Sequence, residues 1–273
     1  MFQKLFLTLF AFFTLILSTS AFENRISGAR SAALGNATVA DSHPESLLQN
    51  TAGLGFLHRI TALTVYESKY SVKEYSQISA GILIPAGKYG NWGFSVCQFG
   101  TGEYREYKLG LLYARTFGQK WAAGLQFDRM SVWFPENITP AMAFTMEGGI
   151  IYRPDERWHM GVHMFNLTNS PFAMRAAKIP LPWSFRFGES WRITYGLVWS
   201  VELEKVQNHP IVVKSGIEFM PLPGFYLRSG FSGRPFYPSF GTGFLISRIM
   251  VDMAFSYHGN LGFSPLVGLN YSL

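Results

Sequence analysis

The chain has 273 residues, of which 27 are glycine, 16% are aromatic and only 15% are charged. That combination argues against a soluble enzyme and suits a barrel in lipid. The formal charge of +6 does not indicate nucleic acid, because the lysines and arginines are scattered without a cluster.

Residues 1–21 read as a secretion signal. Lys4 supplies the positive start, the run from Leu5 to Leu17 is apolar, and Thr19, Ser20 and Ala21 form a small-residue cleavage site. Phe22 follows rather than cysteine, so no lipid anchor is expected. Beyond the signal no run approaches the ~20 apolar residues that a membrane helix needs. Insertion into a bilayer would therefore require a closed barrel. Cys97 is the only cysteine, which leaves no internal disulfide and no cysteine metal cage.

Residues 22–59 do not alternate in polarity. They are rich in small residues, which permit close backbone packing in a confined space, and His43–Leu54 reads as a turn and a short helix. This segment is expected to fold inside the barrel mouth as a hatch.

From residue 60 to 273 alternating segments follow one another, as strands with one apolar face do. The expected strands lie near 60–69, 75–84, 89–99, 104–116, 121–133, 143–153, 157–167, 182–188, 190–204, 211–220, 224–232, 238–246, 248–258 and 264–273. The fold class is all-β: an antiparallel transmembrane barrel of about fourteen strands, an even number as bacterial outer-membrane barrels require. The stretch 190–204 shows the pattern best. Ile193, Tyr195, Leu197, Trp199, Val201 and Leu203 fill one face, while Arg192, Thr194, Gly196, Val198, Ser200 and Glu202 fill the other.

Every second connection is tight: 85–90, 117–120, 153–157, 188–190, 221–224 and 247–248. The intervening ones at 134–142, 169–181, 205–210 and 233–238 tend to be longer. Short turns on the periplasmic side and longer loops outside is the outer-membrane arrangement, and an even strand number puts both termini in the periplasm. A weak repeat follows most tight turns, an aromatic residue and then a glycine: Trp92-Gly93, Trp121 and Gly124, Trp158 and Gly161, Trp191 and Gly196, Phe225 and Gly230. The aromatics fall at the expected membrane interface.

The same alternation assigns Glu106, Lys108, Asp128, Glu147, Arg186, Arg192, Glu202, Lys214, Glu218, Arg228 and Asp252 to the lumen. Arg115 and Arg129 break parity near strand ends, where long side chains reach water. Balanced signs favour cross-strand ion pairs that stiffen the wall and hold the hatch over an open polar conduit. Arg30 of the hatch is expected to pair with a wall carboxylate.

No catalytic constellation is present in the sequence: there is no G-x-S-x-G elbow and no paired-carboxylate motif. His159 and His163 would face the lumen about 13 Å apart, too far to share one metal ion, and read as solvated histidines. No metal site, cofactor or enzymatic activity is expected.

Two stretches resemble a family. Gly28-Ala-Arg30, Leu34-Gly35-Asn-Ala37 and Val39-Ala-Asp41, followed by Asn50-Thr-Ala52-Gly53-Leu54, resemble the opening of the FadL-like outer-membrane proteins, and most closely their PorV/PorQ branch. Ile179–Gly188 is similar to a later element of that branch. Gly268, Tyr271 and Leu273 match a terminal signal read by the outer-membrane assembly machinery. The resemblance implies a barrel whose N-terminal segment plugs the lumen, without covalent chemistry. It implies, first, an accessory of type IX protein secretion that binds the signal domains of exported cargo or docks on the translocon or attachment complex. The alternatives are a FadL-like passive channel for hydrophobic small molecules and a purely structural barrel. Expected partners are outer-membrane lipid and lipopolysaccharide, the barrel assembly machinery and, for the first role, translocon or cargo; no nucleic acid is expected.

Overall fold

The structure is a computed structural model and describes residues 28–133, 141–173 and 178–273. The expected signal at 1–21 lies outside the described residues. The strands are β1 (Thr61–Ser68), β2 (Ser76–Pro85), β3 (Asn91–Phe99), β4 (Arg105–Phe117), β5 (Trp121–Trp133), β6 (Ala141–Tyr152), β7 (Trp158–Phe165), β8 (Phe172–Ala173), β9 (Lys178–Ile179), β10 (Ser184–Thr194), β11 (Leu197–Val206), β12 (Val212–Leu222), β13 (Phe225–Ser232), β14 (Tyr237–Ile246), β15 (Ile249–His258) and β16 (Gly262–Ser272).

The fourteen long strands form one closed antiparallel barrel. β1 pairs with β16 from Thr61↔Ser272 to Glu67↔Leu266, and β5 pairs with β6 along its length, so no edge is left open. The two-residue strands β8 and β9 lie in the connection between β7 and β10, whose described part meets β6 at Met142↔Ala173. There β6 and β7 pair only from Gly148↔Met164 to Tyr152↔Met160, and Phe165, Phe172 and Leu181 pack with Met130, Val132, Ala141 and Ala143. Asn166 ties this connection down. Its amide nitrogen donates to Leu181 O at 2.7 Å, and its amide oxygen accepts Thr145 Oγ1 at 2.8 Å and Ser170 N at 2.9 Å.

One expected turn is misplaced. Residues 188–190 do not turn; they run through the middle of β10, where Ser190 pairs with Ser200. The turn sits at Tyr195-Gly196, with Gly196 at φ 87. A register shift between Arg192 and Thr194 restores odd-even phase across the turn, so Arg192 pairs with Val198 and even-numbered residues stay inside on both strands. The alternation therefore reads through the turn as though one strand ran from 190 to 204.

The outer face is apolar around the whole circumference. Ile82, Phe94, Leu111, Phe127, Ile150, Ile217, Phe240, Phe255 and Val267 are all exposed. A continuous exposed apolar band of this extent is incompatible with water and matches a lipid-facing surface. At the rim carrying the short connections, cross-strand aromatic pairs gird it: Trp92 with Tyr113, Trp121 with Tyr152, Trp191 with Trp199 and Phe225 with Phe244, at centroid distances of 4.9, 4.2, 5.2 and 5.1 Å. Both barrel ends share this rim, where Leu273 N donates to Ile60 O at 2.9 Å. Arg115 and Arg129 face outward, as their parity requires.

Candidate functional site: the occupied lumen

Residues 28–57 lie inside the barrel. They comprise helix α1 (Ala29–Ala33) and two 3-10 turns, Pro44–Leu48 and Thr51–Phe56. All eight motif residues, Gly28, Arg30, Gly35, Asp41, Asn50, Ala52, Gly53 and Leu54, are buried. Asn50 caps the second turn, accepting Ala52 N at 3.2 Å, and its amide nitrogen donates to Val39 O at 2.6 Å and to Val162 O on the wall at 3.2 Å. Thr51 donates its hydroxyl to Gln126 at 3.1 Å.

Glycines in the wall make this fit. A Cβ on Gly124 would stand 2.5 Å from Ala52 N, one on Gly216 2.5 Å from Leu34 O, and one on Gly161 2.6 Å from Ala40 Cα. Gly93 likewise faces Leu47, and Gly230 faces Leu34 and Gly35. Four of the five glycines in the aromatic–glycine repeat thus mark where the hatch approaches the wall, with its backbone at Gly124, Gly161 and Gly230 and with the Leu47 side chain at Gly93; the fifth, Gly196, is the turn glycine. Gly188, mid-strand, is crowded by Val201 O of the wall at 2.6 Å and by the Val39 side chain of the hatch at 2.8 Å. Apolar contacts complete the seat: Leu47 and Leu54 pack on Leu63, Val65, Leu83 and Leu112, and Ala29, Ala32 and Ala33 pack on Ala254 and Leu266.

The lumen charges form three clusters. In the first, Lys108 bonds Glu147 and lies 3.9 Å from Asp128, while His163 Nε2 stands 2.9 Å from Glu147. In the second, Glu202 accepts Arg186 Nε at 2.6 Å and Lys214 Nζ at 2.9 Å, and its other oxygen accepts the hatch amides of Thr38 at 3.0 Å and Val39 at 2.9 Å. In the third, Glu218 accepts Arg228 Nε at 2.6 Å and Arg30 Nε at 2.8 Å, and Arg228 reaches Asp252 at 2.7 Å. Arg30 also bonds Asp41 of its own segment. Burial alone would weaken the Arg30 guanidinium's hold on its proton, but Glu218 and Asp41 together lift it well above the ordinary arginine value. Burial pushes the His43 imidazole well below its ordinary value, and its Nδ1 accepts Glu45 N at 3.4 Å.

The remaining expected residues fall elsewhere. Glu106 is buried and accepts the Tyr104 hydroxyl. Arg192 has lumen parity but sits exposed at the short-turn rim, outside the three clusters. Tyr271 and Leu273 are outward and exposed at the end of β16, while Gly268 faces Ala29. His163 is not solvated: it is buried against Glu147. Sequence reading missed Glu45, whose carboxylate accepts Arg30 N at 3.0 Å, Ser31 N at 2.9 Å and Ser31 Oγ at 2.7 Å. A lone glutamate in a non-alternating stretch carries no signal for that role. It also missed Ser239, whose hydroxyl accepts Gly35 N at 3.1 Å and donates to Ala33 O at 3.2 Å.

Beyond the hatch, toward the longer connections, the lumen opens into a vestibule of about 360 Å³. Ala32, Gly35 and Asn36 are its floor, and its wall mixes hydroxyls such as Ser256 and Ser264 with the aromatic rings of Tyr70, Tyr75, Phe99 and Tyr237.

No family model and no curated protein matches the chain. Solved structures do. The Pseudomonas putida toluene transporter TodX superposes with a TM-score of 0.69 at 10% identity, covering 92% of this chain and 99% of that chain. The fold is that of the FadL-like outer-membrane barrels. The CymD monoaromatic hydrocarbon channel, at 12% identity and a TM-score of 0.67, covers 90% of this chain and 97% of that chain. A Pseudomonas aeruginosa FadL homologue, at 12% identity and 0.59, covers 91% and 95%. At these identities the FadL-like likeness is one of fold. The structure neighbours named here are FadL-like; none is described as PorV or PorQ.

Proposed function

We propose that the protein is a FadL-like outer-membrane channel for apolar small molecules, non-enzymatic, with the N-terminal segment as its plug. The observation that carries this reading is the vestibule above the plug. Its volume of about 360 Å³ lies in the range of small-molecule sites, ~300–1,000 Å³, and aromatic rings line it. The solved neighbours described as carriers of toluene and monoaromatic hydrocarbons support the same class. The apolar outer band faces lipid, the short connections and both barrel ends lie on the periplasmic side, and the assembly machinery reads the end of β16 at Gly268, Tyr271 and Leu273.

The test is uptake of toluene into proteoliposomes by the mature chain and by a form lacking residues 22–59. The expected result is uptake above that of empty liposomes for the mature chain and faster uptake without the plug. Uptake equal to empty liposomes for both forms would overturn the channel. A second reading, a role in type IX secretion on the PorV/PorQ pattern, rests on the resemblance of the opening motif alone, whose residues are buried in the plug. Co-purification with translocon components or cargo signal domains from native membranes would support it, and recovery of the barrel alone would count against it.

A further inference from the structure

Three basic side chains stand at the short-turn end of the lumen, apart from the ion-paired clusters. Arg30, Lys108, Arg186, Lys214 and Arg228 each pair with a carboxylate. Arg153, His159 and Arg192 have no carboxylate partner among the described residues. They stand together. Gly149 and Ile151 put the odd residues of β6 on the lumen face, so Arg153 continues that face past the strand end. Ile151 pairs with Gly161, and extending that register by two residues sets Arg153 opposite His159. His159 pairs with Ser190. Arg192, whose backbone N–H donates to Arg157 O at 2.8 Å, follows Ser190 on the same face. Neighbours on adjacent strands are about 5 Å apart and diagonal ones ~7–8 Å. Like charges this close are destabilising without a counterion.

The hatch supplies the floor. The Arg153 guanidinium lies over the Phe56 ring at 4.0 Å, and its Nε is buried with no hydrogen-bond partner. Burial, and then Arg192, push Arg153 down to about 10, with Asp41 opposing. The nearby carboxylates are engaged elsewhere. Asp41 bonds Arg30, Asp155 accepts Arg157 N at 2.7 Å and Trp158 N at 2.9 Å, and Glu189 faces outward and accepts Trp158 Nε1 at 3.0 Å.

We propose that Arg153, His159 and Arg192 form a binding site for a phosphate-type oxyanion at the short-turn mouth, on the seam between wall and plug. Two guanidinium groups and an imidazole share one face at neighbouring register positions, and guanidinium forks match the oxygens of phosphate. The chemistry is shared by soluble phosphate and by the headgroup of an anionic phospholipid, and the rim position admits both. The site does not depend on what crosses the barrel.

The test follows the His159 imidazole resonance of the full mature chain, assigned with His159→Gln, in phosphatidylcholine nanodiscs. One arm titrates inorganic phosphate against a chloride control of equal ionic strength; the other replaces part of the lipid with phosphatidylglycerol, without phosphate. The expected result is a saturable shift in at least one arm, weakened about tenfold or more in Arg192→Gln. Arg192 is exposed, so that variant keeps the fold. Response to phosphate alone assigns a soluble anion, response to phosphatidylglycerol alone assigns a headgroup, and response to both assigns the shared group. No saturable shift in either arm, or one that chloride or Arg192→Gln reproduces in full, would overturn the site.

Discussion

Arg30→Ala is expected to lower the stability of the plugged barrel by about 3–5 kcal/mol, the cost of breaking a buried ion pair by removing one partner. Among the described residues of the plug, Arg30 is the one whose side chain joins the plug's own carboxylate, Asp41, to a wall carboxylate, Glu218, at 2.8 Å. Glu218 keeps Arg228 at 2.6 Å, so the wall cluster survives the substitution, while Asp41 is left buried without its cation. Most of the effect therefore falls on the seat of the plug and not on barrel closure. The denaturation midpoint of detergent-folded protein, followed by tryptophan fluorescence, should drop, and residues 28–57 should become cleavable by added protease while the strands stay intact. An unchanged midpoint with an uncleaved segment would show that the apolar seat alone holds the plug.

Gly161→Val attacks the same seat from the wall. The new Cβ would stand 2.6 Å from both Ala40 Cα and Val39 C, and these are backbone atoms that no rotamer change can move aside. Overpacking a tight site costs ~1–3 kcal/mol when neighbours can shift. Here the segment around Val39 must lift, breaking the Thr38 and Val39 amide bonds to Glu202 as it goes. The barrel itself should still form, since valine favours strands. Planar-bilayer conductance should rise from near closed to that of the form lacking residues 22–59. Gly259→Val, at a loop glycine with nothing within 4 Å, is the control and should stay closed. Equal, low conductance in both would refute the packing of plug against wall.

Much of this was legible from residue order, because a strand's period of two reports which face meets lipid and which meets the lumen. Lys214, Glu218 and Asp252 were assigned inward on parity alone, and parity does not depend on exact strand ends. The same strength produced the misplaced turn at 188–190. The bulge beside Arg192 keeps phase, so alternation is blind to a reversal at Tyr195-Gly196. Gly188 looked like a turn glycine when its reason is a tight mid-strand position, with Val201 O and the Val39 side chain 2.6 and 2.8 Å from where its Cβ would stand. Solvation of His163 was misjudged because parity reports that a side chain faces the lumen and not whether the lumen is filled there. The polar partners of the plug, Glu45 and Ser239, lie in the same blind spot: their contacts are long-range and fixed by where a non-repetitive segment threads. The motif resemblance found the FadL-like fold correctly. Its finer assignment to a secretion branch drew on the opening segment, whose glycines and Arg30 serve plug seating, a requirement a channel shares.

The most direct measurement is backbone amide exchange of the mature chain folded in detergent, resolved for residues 29–57 against the strands. The expected result is slow exchange at Arg30, Ser31, Gly35, Thr38, Val39 and Gly53, whose amides all have acceptors inside the barrel, comparable to that of β1 and β16. Exchange of these amides at the rate of an unfolded peptide, with the strands still protected, would contradict a lumen sealed by its own N-terminal segment.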